Sequence, residues 1–237
     1  MKERNQMKRI LTLLIVLSLG LGLVACGSSA DKIKTQQTAA PEASAQATDG
    51  PKDSQELSVD NPIVVDKENK EVRILAAVNG DFFEKSTMHG VVYVDGAQGE
   101  NCMFQSFAKQ DAFYDGLKAI GLAAADNINS DNAGETYTDG PALEVTFAWD
   151  DKTASLDEMI VESNSKPVDI RFTGNKAASD KYQSGCITCL TTCFVGITSN
   201  ANYYLGEEPN NVTFKLNPDV APKDQTTVTI IYRAKAK

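Results

Sequence analysis

EVRILAAV, Glu71 to Val78, is the stretch on which the fold class turns. It is a short β-branched run, alternating at its start, and runs of this kind read as strands. Six more follow the same habit: PIVVD (Pro62 to Asp66), GVVYVDG (Gly90 to Gly96), ALEVTFAW (Ala142 to Trp149), VDIRFTG (Val168 to Gly174), NVTFKL (Asn211 to Leu216) and TTVTIIYR (Thr226 to Arg233). Most are bounded by Asn, Asp, Gly or Pro, which accept turn geometry. DAFYDGLKAIG breaks the pattern, because Phe113, Leu117 and Ile120 share one helical face, with Asp111 as N-cap and Gly121 as stop. A second, weaker helix is expected over Ser155 to Val161. The expected fold class is α+β: a mostly antiparallel β-sheet domain with one or two short helices. No internal repeat interrupts it.

This domain is expected over residues 61–237, and what precedes it has a different composition. Lys2, Arg4, Lys8 and Arg9 form a basic start, Ile10 to Val24 an apolar run, and Leu23-Val24-Ala25-Cys26 is similar to a bacterial lipobox. Residues 1–25 therefore read as a lipoprotein signal peptide, too short for a membrane span. Cys26 becomes the lipidated N-terminus, which places the chain on a cell membrane, facing outside the cytoplasm. Residues 26–60 are rich in Ser, Ala, Thr, Gln, Asp, Lys and Pro, cannot bury a core, and read as a flexible linker.

The signal peptide contains Glu3 and four basic residues. Without it, 32 less one acidic side chains face 23 less four basic ones, a formal charge of −12. Such a surface argues against nucleic acid as a partner.

The loop Asp126 to Gly140, DNINSDNAGETYTDG, is rich in oxygen donors, yet its spacing fails the helix-loop-helix calcium pattern and it reads as a solvated turn. His89 is the only histidine, and no GxSxG turn accompanies it, so a serine hydrolase is not supported. No phosphate-binding glycine loop or dinucleotide fingerprint is present. No catalytic residue is assigned, and enzymatic activity is not indicated.

GCITCLTTC, Gly185 to Cys193, carries the chemistry. With Cys26 given to lipid, four thiols remain: Cys102, Cys186, Cys189 and Cys193. In a helix the last three would share one face, and in a loop they would wrap one small centre. Three converging thiolates suit an iron-sulfur cluster, although bacterial ferredoxins use a longer run with a further cysteine. His89 and Cys102 are the candidates for a fourth ligand. Zinc, two disulfides and a thiol-disulfide exchange pair at Cys186 and Cys189 are the alternatives.

The surroundings of the thiols add a resemblance. Arg171 with FTGN (Phe172 to Asn175), then YQSGCITCLTTCFVGITSNANYY (Tyr182 to Tyr204) with its Asn200-Ala201-x-Tyr203 end, resembles the YdjY family of bacterial exported proteins and lipoproteins. His89-Gly90 before a strand, Phe113 to Gly121 and the strand ending in Trp149 are similar too, so the resemblance covers most of Asn61 to Arg233. It implies a ferredoxin-like motif in which Cys186, Cys189 and Cys193 hold an iron-sulfur (4Fe-4S) cluster, with His89 at a family-like position. The chain departs from the family at Cys102, which is peculiar to it, and at Phe194, where many relatives have proline. The function expected is that of a redox-linked, lipid-anchored extracytoplasmic protein with a redox partner protein. The alternative is a disulfide-stabilised surface lipoprotein acting as a ligand-binding or interaction module. The N-terminus lacks a twin-arginine pattern, so any cluster would be assembled after export.

Overall fold

A computed structural model describes residues 56–235. The expected signal peptide, the expected lipidated Cys26 and the expected linker up to residue 55 lie outside the described residues.

In chain order the strands and helices are β1 (Ile63–Asp66), β2 (Glu71–Val78), β3 (His89–Tyr93), β4 (Phe104–Ser106), α1 (Gln110–Ala119), β5 (Leu143–Trp149), β6 (Lys152–Ser155), α2 (Leu156–Met159), β7 (Ile160–Glu162), β8 (Ile170–Phe172), α3 (Lys176–Tyr182), β9 (Cys186–Cys189), β10 (Thr198–Asn200), β11 (Phe214–Leu216) and β12 (Thr227–Ala234). Ten strands make one sheet, ordered β6-β5-β12-β2-β4-β3-β9-β10-β8 with β1 paired to β2, while β7 and β11 form a small second sheet. The large sheet curls far enough that Ala142, just before β5, bridges Arg171 in β8.

The opening stretch becomes β2, flanked by β12 and β4 and also paired to β1. Being surrounded, it buries seven of its eight side chains, with only Arg73 half-buried. Its polar start is satisfied, since the Glu71 carboxylate pairs with Arg73 at 2.6 Å and with Arg233 on β12. β5 and β12 have one buried face each, and their strict alternation (Leu143, Val145, Phe147, Trp149; Val228, Ile230, Tyr232) follows from the two-residue period of a strand.

Most pairings are antiparallel, as expected, but the sheet is mixed: β3 runs parallel to β4, and β9 parallel to β10. Alternation reports which face a residue takes and carries no strand direction. The connection that brings the chain back from β9 to run parallel as β10, residues 190–197, is the segment that carries Cys193.

The helix expected at Phe113 forms as α1, and Phe113, Leu117 and Ile120 are all buried. A side chain at Gly116 would meet Val65 and Val72 at 3.1 and 3.2 Å, so glycine lets the helix lie close on β1 and β2. The N-cap is Lys109, with no side-chain bond; Asp111 instead lies inside the first turn and pairs with Lys176 at 3.0 Å. Gly121 takes φ +93 and ends the helix as expected. The second expected helix shrinks to α2, which Ser155 and Glu158 start with a reciprocal capping box before the chain enters β7.

Candidate metal centre

A regular strand places residues three apart on opposite faces, so a strand over CITC should separate Cys186 from Cys189. A paired irregularity with β3 prevents this. His89 lies opposite Cys189, Val91 opposite Thr188 and Val92 opposite Cys186, which leaves Gly90 and Ile187 as extra residues, one on each strand. Ile187 joins the main core, and Thr188 Oγ1 hydrogen-bonds Tyr232 Oη at 2.7 Å. Cys186 and Cys189 turn together into a separate buried cluster with Val92, Cys102 and Cys193, covered by Met88 and Val195. The segment is thus neither the helix nor the loop considered from spacing.

His89 enters from the start of β3. Its backbone N–H donates to Thr87 Oγ1 at 3.0 Å and its carbonyl accepts from Met103 N at 3.0 Å. The ring reaches Cys186, with Nδ1 3.8 Å from Sγ. Gly90 lets the strands close here, because a Cβ would stand 3.2 Å from Thr188 O and 3.3 Å from Leu190 Cδ2.

One donor atom from each of His89, Cys186 and Cys189 lies within 4.8 Å of the other two, an arrangement that could hold a metal ion. Cys193 packs beside Cys186 and Cys189 in the same buried cluster. All three cysteines are buried and His89 is half-buried, so His89 forms the solvent edge. The donors are soft sulfur and imidazole nitrogen, the set that zinc and iron take. Chemically, the residues fit such a group.

The thiols are electrostatically unequal. Cys186 is pulled down to about 5, first by the hydrogen bond from Cys189 and then by His89 and Ser184, which together outweigh burial. Cys189 is pushed well up by its hydrogen bonds to Cys186 and Cys193 and by burial. One sulfur is therefore a ready thiolate, while its neighbour holds a proton that a metal would displace.

Cys102 stands apart from the trio although it packs in the same cluster. Burial, with the charge of Cys186 adding to it, pushes its thiol up to about 12. Its sulfur lies 3.3 Å from the Gly99 carbonyl oxygen and 3.2 Å from that of Phe104, to which the S–H donates.

The loop bearing Cys193 is fastened by residues that sequence reading did not single out as site residues. Asn175 Nδ2 donates to the carbonyls of Cys193 (2.8 Å) and Gly196 (3.3 Å), and Asn200 Nδ2 donates to Leu190 O at 3.0 Å. Ser184 Oγ accepts from Cys186 N at 3.3 Å. Ser199 lies opposite Cys189 on β10, and its buried hydroxyl has no hydrogen-bond partner. Asn175 and Asn200 fall within FTGN and the Asn-Ala-x-Tyr end, so those segments did point to the site, though not to their role. The Asp126 to Gly140 loop behaves as the turn expected of it, its asparagines bonding local backbone, as Asn129 Oδ1 does to Asp131 N.

Fold and centre together define a mixed-sheet domain built around a buried cysteine-histidine cluster. The chain belongs to the YdjY domain family, whose match spans residues 63–233. It is 39% identical over 181 residues to the uncharacterized protein YdjY of Escherichia coli (strain K12), covering 75% of this chain and 80% of that protein. No solved structure matches the chain.

Proposed function

We propose that this is a lipid-anchored, extracytoplasmic protein of redox type in which Cys186, Cys189, Cys193 and His89 bind a thiolate-rich metal centre. The observation that carries the reading is the convergence of His89, Cys186 and Cys189 within 4.8 Å, with both cysteines buried. That spacing suits one tetrahedral ion, whose sulfur ligands stand on the order of 4 Å apart when each metal-sulfur bond is about 2.3 Å. An iron-sulfur cluster, the group that family resemblance suggests, asks the sulfurs to spread wider. Iron in either form would support electron exchange with a redox partner protein, whereas zinc would be structural.

The closeness of the Cys186 and Cys189 sulfurs favours one second reading, in which these two form a disulfide and the domain is a binding or interaction module. Substitution separates the two. Under the metal reading, Cys186→Ser, Cys189→Ser and Cys193→Ser each abolish metal retention in anaerobically purified protein, while Cys102→Ser keeps it. Equal metal content in all four variants would rule the centre out.

A further inference from the structure

Among the described residues, Ser199 Oγ is the one buried side-chain oxygen or nitrogen left without a hydrogen-bond partner. A buried hydroxyl without a partner costs stability. Its position gives the orphan a meaning. β10 runs parallel to β9 with Thr198 opposite Thr188 and Ser199 opposite Cys189. Thr198 Oγ1 bonds Thr188 Oγ1 at 2.9 Å on the side of the main core, and alternation then sends Ser199 to the opposite side, with Cys189. Gly196 marks where the two meet. A Cβ placed there would lie 2.9 Å from Cys189 Sγ and 3.2 Å from Ser199 Oγ, so both atoms border the same small space.

We propose that Ser199 is a positioning residue for the metal centre: its hydroxyl donates a hydrogen bond to the Cys189 thiolate once a metal is bound. This rests on the metal reading above. A cysteine that ligates a metal does so as a thiolate, whose sulfur keeps lone pairs able to accept hydrogen bonds. Partners of this kind orient ligands and tune metal affinity.

The test compares wild type with Ser199→Ala, both reduced and metal-free, melting each and then titrating each anaerobically with Co(II) while following the thiolate-to-cobalt charge-transfer band. The expected result has opposite signs in the two states. The variant apo-protein melts at or above wild type, because an unsatisfied hydroxyl is gone, while its Co(II) affinity falls on the order of tenfold. Equal affinities overturn the inference, and so does a lower melting temperature in the variant, which would mean that the hydroxyl already has a partner. If wild type shows no charge-transfer band, the metal reading fails and this inference falls with it. A normal wild-type band with equal affinities sinks the inference alone.

Discussion

At the residue scale, the centre is defined by one proton shared unequally between neighbouring sulfurs. Cys186 is pulled from 9.0 to about 5, chiefly because Cys189 donates to it. Between those pH values the folded metal-free chain binds fewer protons at Cys186 than the unfolded chain does, so this thiol stabilises the fold increasingly as pH rises from about 5 to 9. The contribution is lost as pH falls through 5. Cys189 is shifted up, so its contribution is complete below its unfolded pKa and is lost as pH rises from there through the folded one. Urea midpoints of the reduced apo-protein are therefore expected to rise through this window, and Cys186→Ser is expected to flatten the rise. An identical slope in the variant would contradict the assignment of the thiolate to Cys186. The sequence displayed the three thiols plainly. It did not display which one carries the charge, because that depends on how the folded chain places Cys189, His89 and Ser184 around Cys186.

At the element scale, the paired irregularity of β3 and β9 turns a strand motif into a two-sulfur clamp, and Asn175 holds the third cysteine's loop beside it. Asn175 adopts φ +52, a left-handed conformation that Asn tolerates better than most residues, and this aims its amide at the loop carbonyls. Asn175→Ala leaves the Cys193 and Gly196 carbonyls without their donor. The expected cost is about 1–3 kcal/mol, with faster amide hydrogen exchange confined to residues 190–197. Exchange that speeds up equally in β2 and β12 would show that Asn175 supports the whole sheet instead. Strands with one buried face, such as β5 and β12, were legible from their alternation. β9 was not, because its bulge breaks the period and its cysteines count as apolar on both faces. The short strands β4, β6, β7 and β10 and the seven-residue α3 were missed because three to seven residues hold too few periods to read.

At the scale of the whole molecule, two buried clusters divide the work. The main core, from Val72 on β2 to Tyr232 on β12, stabilises the sheet, and the smaller cysteine cluster sits across β9 from it. Thr188 faces the main core, where its hydroxyl bonds Tyr232. The proposed anchor belongs to this scale as well: Cys26→Ser is expected to move the protein from the membrane fraction to the soluble fraction of fractionated cells, and a variant that stays membrane-bound would contradict lipidation at that residue. The sheet-dominated fold class was readable because strand composition is local. The parallel β3/β4 and β9/β10 pairs were not, since pairing direction is set by where distant segments meet. The central claim is that the buried cysteines and His89 hold a metal. It meets its most direct test in metal analysis and thiol titration on one anaerobic preparation of the full chain. The expected result is stoichiometric bound metal, with Cys186, Cys189 and Cys193 titrating as free thiols once the protein is denatured and the metal chelated. Protein without metal, whose thiols titrate only after a reductant is added, would contradict it.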